Sequence, residues 1–272
     1  LISGFSEVLS YEEITIHYEA GDVKIAKQIA PPFYRNIVRF QKEIGLYTVL
    51  PVTVQLLEKE EIRYKENSII EFSNAFYSFK EKTIFVKNPK QASRYARLQE
   101  ILLHEYIHHF IYNHYPNAPL WFHEGMAVYF TEGITYQRKI HFIKDKVIRN
   151  SLPLKEMTNM YPESSIRWQS FYSKSALAIQ YLLTYHKEAF YHFWDYAAKT
   201  NNFNQAFLNS FFMTQEQFSN HFETYANEHF RIELLLGSST ILWALFPLLF
   251  FVGIWRRKKQ AKEIEKHWEE QE

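Results

Sequence analysis

Residues 102–110 read Leu102-Leu103-His104-Glu105-Tyr106-Ile107-His108-His109-Phe110. The apolar residues around the polar ones recur at helical spacing, so the stretch is read as part of a helix from about residue 92 to about residue 115. On that helix His104 and His108 stand four residues apart, about 40° around the axis, and their imidazoles face the same way. Two neutral imidazoles so placed can hold one Zn²⁺, with Glu105 beside it to take a proton from a bound water. In a chain with 12 His the pattern is expected by chance only about 0.05 times, which is still too often for it to stand alone. A catalytic zinc needs a third protein ligand and one open position.

Two residues compete for the third place. His114 lies ten residues after His104, a spacing that works when a glycine at the seventh step turns the chain out of the helix. That position is Ile111, whose β-branch favours continuing. Glu124 stands in Pro119-Leu120-Trp121-Phe122-His123-Glu124-Gly125-Met126-Ala127-Val128-Tyr129-Phe130. Pro116 and Pro119 break the first helix, a second begins near Trp121, and Gly125 and Ala127 are small enough for it to pack back on the first. Only Glu124 comes with the turn chemistry the geometry requires, and it is preferred. His109 and His123 adjoin the motif residues and are read as supporting or surface groups.

Outward from this centre the chain reads as α+β. Ile14-Thr15-Ile16-His17-Tyr18 alternates like a strand, as does Pro51-Val52-Thr53-Val54-Gln55-Leu56-Leu57, and Thr83-Ile84-Phe85-Val86 is a third. A helical stretch from Gly21 to about Ile44 contains Pro31-Pro32, which leaves two helices or one kinked helix open. Residues 58–71 are polar and read as loop, and the part from 121 to about 231 is mostly helical. No linker, repeat or low-complexity segment divides residues 1–232, which are taken as one domain.

Composition narrows the function classes. An apolar share of 47% with 22% charged residues is that of a folded protein. A formal charge of +1 leaves nothing to neutralise a phosphate backbone, so nucleic acid is not expected as a partner. The absence of cysteine removes thiol nucleophiles and Cys-based metal sites. With 7 Gly there is no glycine-rich phosphate loop.

Residues 234–255, LLLGSSTILWALFPLLFFVGIW, carry no charge, and as a helix would be about 33 Å long, enough to span a bilayer. Trp255 and Arg256-Arg257-Lys258-Lys259 follow the pattern of an interfacial edge and a cytoplasmic flank. The expectation is a single C-terminal transmembrane helix over 234–255, a cytoplasmic polar tail over 256–272 and an extracytoplasmic domain before them. The chain opens on Leu1-Ile2-Ser3-Gly4, so export implies a removed signal peptide or a trimmed first segment. A tail-anchored cytoplasmic domain is the second choice, since it would carry RRKK across the membrane.

HEYIHH followed by PLWFHEGMAVYF resembles the gluzincin zinc metallopeptidases, and most closely the peptidase-MA-like domains with HExxH and then WxxEGxA. The resemblance covers residues 11–230, and its specific part is 104–130. It implies a zincin-like domain with a small sheet and an active-site helix. It implies one zinc per chain held by His104, His108 and Glu124, with Glu105 as general base. It also implies an edge strand ahead of the active-site helix that pairs with extended substrate, for which Thr83, Ile84, Phe85 and Val86 are the candidates. A Tyr or His after the third ligand would steady the oxyanion, and Tyr172, opening the helical run 172–183, is chosen. No GxMEN motif is present, so exopeptidase activity has no support. The position four residues after Glu124 is Val128 rather than a carboxylate, and Glu132 is the alternative partner for the histidines. The expected function is a membrane-anchored zinc endopeptidase of the bacterial cell envelope, acting on a peptide or protein. A silent zinc-holding assembly module and a hydrolase of a non-peptide amide are the alternatives.

Overall fold

A computed structural model describes residues 7–57, 75–87, 95–148, 152–162, 164, 167–197 and 199–269. For residues 20, 95, 96, 147, 148, 231–246, 248, 249 and 261–269 it describes the backbone alone. Two compact units divide the chain, Leu1–Phe222 and Glu223–Glu272. The boundary falls ten residues before the one read from the sequence.

The first unit is built on a five-stranded sheet in the order β1-β2-β3-β5-β4. Its strands are β1 (Glu7–Tyr11), β2 (Ile14–Tyr18), β3 (Val52–Leu57), β4 (Ala75–Ser78) and β5 (Thr83–Lys87). The three inner strands β2, β3 and β5 run parallel, and β1 and β4 pair antiparallel on the outside. Alternation in β2 and β3 has a plain cause. Ile14, Ile16, Val52, Val54, Leu56, Ile84 and Val86 point to one face and are buried there, each such side chain contributing about 1.5–3 kcal/mol of burial. Helices α1 (Val23–Glu43) and α2 (Tyr95–His114) pack beside one another and contact the sheet.

The prolines of α1 do not split it. Pro31 and Pro32 lie inside one continuous helix, half-buried next to Phe33. Helix α2 is the central element. Leu102, Leu103, Tyr106, Ile107, Phe110 and Ile111 are buried all around it, because α1, the sheet and α3 (Leu120–Thr131) each cover one side. Tyr106 is fixed between Phe33 and Phe40, edge to face, and its hydroxyl accepts the Leu50 N–H at 3.2 Å.

Beyond α3 come α4 (Tyr136–Ile148), α5 (Trp168–Tyr185), α6 (Lys187–Asp195), α7 (Phe203–Phe211) and α8 (Gln215–Glu269). Helices α3 and α5 pack most closely. A Cβ added at Gly125 would lie 2.5 Å from the Ser175 carbonyl oxygen and 2.8 Å from Ile179 Cγ1. The small residue after Glu124 therefore serves the approach of α5, and not that of α2 as the sequence reading had it.

Two expectations are corrected. Thr83-Ile84-Phe85-Val86 is not an edge strand, since β5 is hydrogen-bonded to β3 on one side and β4 on the other and has no groups left for a peptide. The edge before α2 is β4, in a stretch the sequence reading left unassigned. The second correction concerns the C-terminus. Residues 234–255 belong to α8, one helix of 55 residues. Among the described residues no helix is long and apolar enough to cross a membrane. The transmembrane helix, the cytoplasmic tail and the extracytoplasmic placement built on it are therefore not supported. Most side chains of this run lie outside the described residues.

Candidate metal centre

His104 and His108 occupy successive turns of α2 on the side that α3 covers. Their rings lie 4.9 Å apart. Glu124 comes from the second turn of α3, after the break at 115–119, where the Ala118 N–H returns to the Tyr115 carbonyl at 3.0 Å and Pro119 caps the new helix in an extended conformation. Glu124 Oε2 is 3.6 Å from His104 Nε2, and its Oε1 is 3.7 Å from His108 Nε2. One ligand atom from each of the three lies within 4.8 Å of the others. Ligands around a tetrahedral ion at about 2.0–2.1 Å are separated by about 3.4 Å, close to the two carboxylate–imidazole distances, so the group could hold a metal ion. The His104 side chain keeps 23% of its surface, against 11% for His108 and 4% for Glu124, which marks the open side.

The electrostatics suit a cation. Burial by itself would raise the Glu124 carboxyl, but the His108 and His104 imidazoles and the Tyr161 hydroxyl outweigh it and hold it down at about 2. Burial pushes His108 down to about 3, so it is a neutral donor at pH 7. Glu105 is buried beside them, and burial pushes its carboxyl up to about 7. Its Oε2 accepts the Tyr77 backbone N–H from β4 at 2.9 Å.

No protein-family model matches the chain, and no curated protein matches it in sequence. The family reading thus rests on residues 104–130 themselves.

Of the residues singled out in the sequence, His104, His108 and Glu124 meet, with Glu105 next to them. His114 does not join them. Its Nδ1 lies 2.8 Å from the Phe110 carbonyl oxygen, and its ring packs on Phe110 and Trp194. Tyr172 on α5 is half-buried, with its ring 6.4 Å from that of Tyr161; burial and the Glu124 and Glu105 charges raise its ionisation. Glu132 caps the end of α3 and pairs with Arg138; its charge acts on His104, but it is not one of the three grouped ligands. His109 is a framework residue. Its Nε2 donates to the Pro51 carbonyl at 3.0 Å, so its Nδ1 accepts from the Tyr77 hydroxyl, also at 3.0 Å. His123 is buried against His108, with ring centroids 5.7 Å apart.

Two contributors were missed. Tyr161 donates its hydroxyl proton to Glu124 Oε1, and nothing in the sequence sets it apart from 18 other tyrosines in a total of 19. The Tyr77 N–H is a backbone donor, and its strand is buried on both faces in its first three residues, so it carries no period-2 signal.

Proposed function

We propose that the chain is a zinc-dependent hydrolase of peptide bonds, with one Zn²⁺ per chain on His104, His108 and Glu124. The observation that carries this reading is the pairing of a three-residue ligand group with a separate buried carboxylate, Glu105, which is not needed to hold a metal. The donor set of two imidazoles and one carboxylate with an open side is that of a catalytic zinc rather than a structural one. Bound there, zinc would supply Lewis acidity, lowering the pKa of a water to about 7 and polarising a carbonyl.

The chain's own groups supply the rest. Glu105 is the proton carrier: a carboxyl at about 7 can accept a proton from water and return it to a leaving amine near neutral pH. The Tyr77 N–H holds Oε2, leaving Oε1 for the proton. Strand β4 is the outer strand beside α2 among the described residues, and an extended peptide can add to such an edge through its backbone. Tyr172 is proposed as the hydroxyl that steadies the developing oxyanion.

The test is peptide hydrolysis by the zinc-loaded chain, with Glu105→Gln beside it. The variant is expected to keep its metal and lose at least about 100-fold in rate. Full activity in Glu105→Gln with metal bound would remove the general-base assignment, and zinc-loaded wild type that cleaves no peptide in a broad library would remove the peptidase reading.

A further inference from the structure

We infer that Tyr161 is a positioning residue for the metal ligand Glu124, and that the strap carrying it, residues 152–162, is the element that aims the third ligand. The inference rests on the metal-site reading and deepens it. Glu124 stands on a helix reached through a proline break, and a carboxylate on a free rotamer would not hold one oxygen toward each imidazole. The Tyr161 O–H meets Oε1, the oxygen that faces His108. It leaves Oε2 facing His104.

The strap is tied down at both ends and in the middle. The Leu152 carbonyl accepts from Lys174 Nζ at 2.5 Å, the Lys155 N–H donates to Ser219 Oγ at 3.1 Å, and the Pro162 carbonyl accepts from Trp168 Nε1 at 2.8 Å. Between them the Met157 and Thr158 carbonyls take the Trp121 and Leu120 N–H groups at 2.9 and 2.7 Å. These are two of the donors that a helix start leaves without intrahelical partners, and Pro119 offers no side chain to cap them. One short segment thus anchors the start of α3 and, three residues later, grips the carboxylate of that helix's second turn. The Tyr161 ring is wedged near Trp168, Phe171 and Tyr172, which fixes the direction of the hydroxyl. Partners that orient a ligand in this way are worth about 10–100-fold in metal affinity.

The experiment is Zn²⁺ affinity of the full chain by competition with a chromophoric chelator, for wild type, Tyr161→Phe and Ser219→Ala. Ser219→Ala removes a single tie, at Lys155, and leaves those at Leu152, Met157, Thr158 and Pro162, so the strap still holds Tyr161 against Glu124. Tyr161→Phe is expected to bind Zn²⁺ about 10–100-fold more weakly, with Ser219→Ala within about twofold of wild type. Equal affinity in wild type and Tyr161→Phe overturns the inference, and so does an equal loss in both variants, which would make the effect general loosening. A folded wild type that binds no Zn²⁺ fails differently: it overturns the metal site itself and takes the role of Tyr161 with it.

Discussion

The two histidines and the carboxylate of the candidate metal centre reach the same point by different means. In α2 the helix does all the work. A spacing of four places His104 and His108 on one face whatever the rest of the chain does, and the buried shell around Tyr106 and Phe110 then fixes that face. In α3 nothing local aims Glu124. It depends on the break at 115–119, on Gly125 letting α5 come within contact distance, and on strap carbonyls and a tyrosine hydroxyl from nearly forty residues downstream. The ligand pair is a property of a segment, while the third ligand is a property of the tertiary structure. Damage to packing should therefore reach the carboxylate first.

Gly125→Ala is the strongest way to break that contrast. The added methyl would meet the Ser175 backbone oxygen at 2.5 Å, and a backbone on a neighbouring helix cannot give way cheaply. Overpacking of this kind costs about 2–3 kcal/mol, more than the roughly 1 kcal/mol that alanine gains over glycine in a helix. The variant should unfold at lower denaturant than wild type by chemical denaturation and bind Zn²⁺ more weakly. An unchanged midpoint would mean that α3 and α5 are not held together as described.

Acid sharpens the comparison with a smaller effect. Burial holds His108 at about 3 and His109 and His123 at about 4, below the ordinary 6.5. The unfolded chain takes up those protons first, so their contribution is complete above about pH 6.5 and is lost as pH falls toward 4. Glu105, raised to about 7 by burial, works the other way over part of this range, as does His104, where burial is outweighed by its hydrogen bond to Glu124 together with the charges of Glu105, Glu124 and Glu132. Three lowered imidazoles outweigh these two. Denaturation midpoints of the metal-free chain should fall from pH 7 to pH 4.5, and a flat or rising profile would contradict the buried neutral imidazoles.

The same contrast explains what could be read in advance. His104, Glu105 and His108 were legible because helical periodicity is local. Glu124 was legible because Pro116 and Pro119 mark the turn that brings it back. Strands β2 and β3 declared themselves by alternation. Strand β4 did not, since Ala75, Phe76 and Tyr77 are all buried and a short apolar run has no period to show. Its absence from the reading is what moved the edge to β5. Tyr161 was invisible for a related reason: its partner is set by the path of the strap, and no spacing links it to Glu124. The reading of 234–255 rested on the run and its flanks, and no helix among the described residues is long and apolar enough to cross a membrane.

The smallest expected effect belongs to His114→Ala. The imidazole leans on Phe110 and Trp194 and faces away from the ligands, so metal binding should be unchanged.

The most direct measurement is the metal content of the purified full chain after zinc loading and dialysis, for wild type, Glu124→Ala and His114→Ala side by side. The account predicts one zinc per chain in wild type and in His114→Ala, and none retained in Glu124→Ala. Zinc absent from folded wild type, or retained without Glu124 and lost without His114, would contradict it.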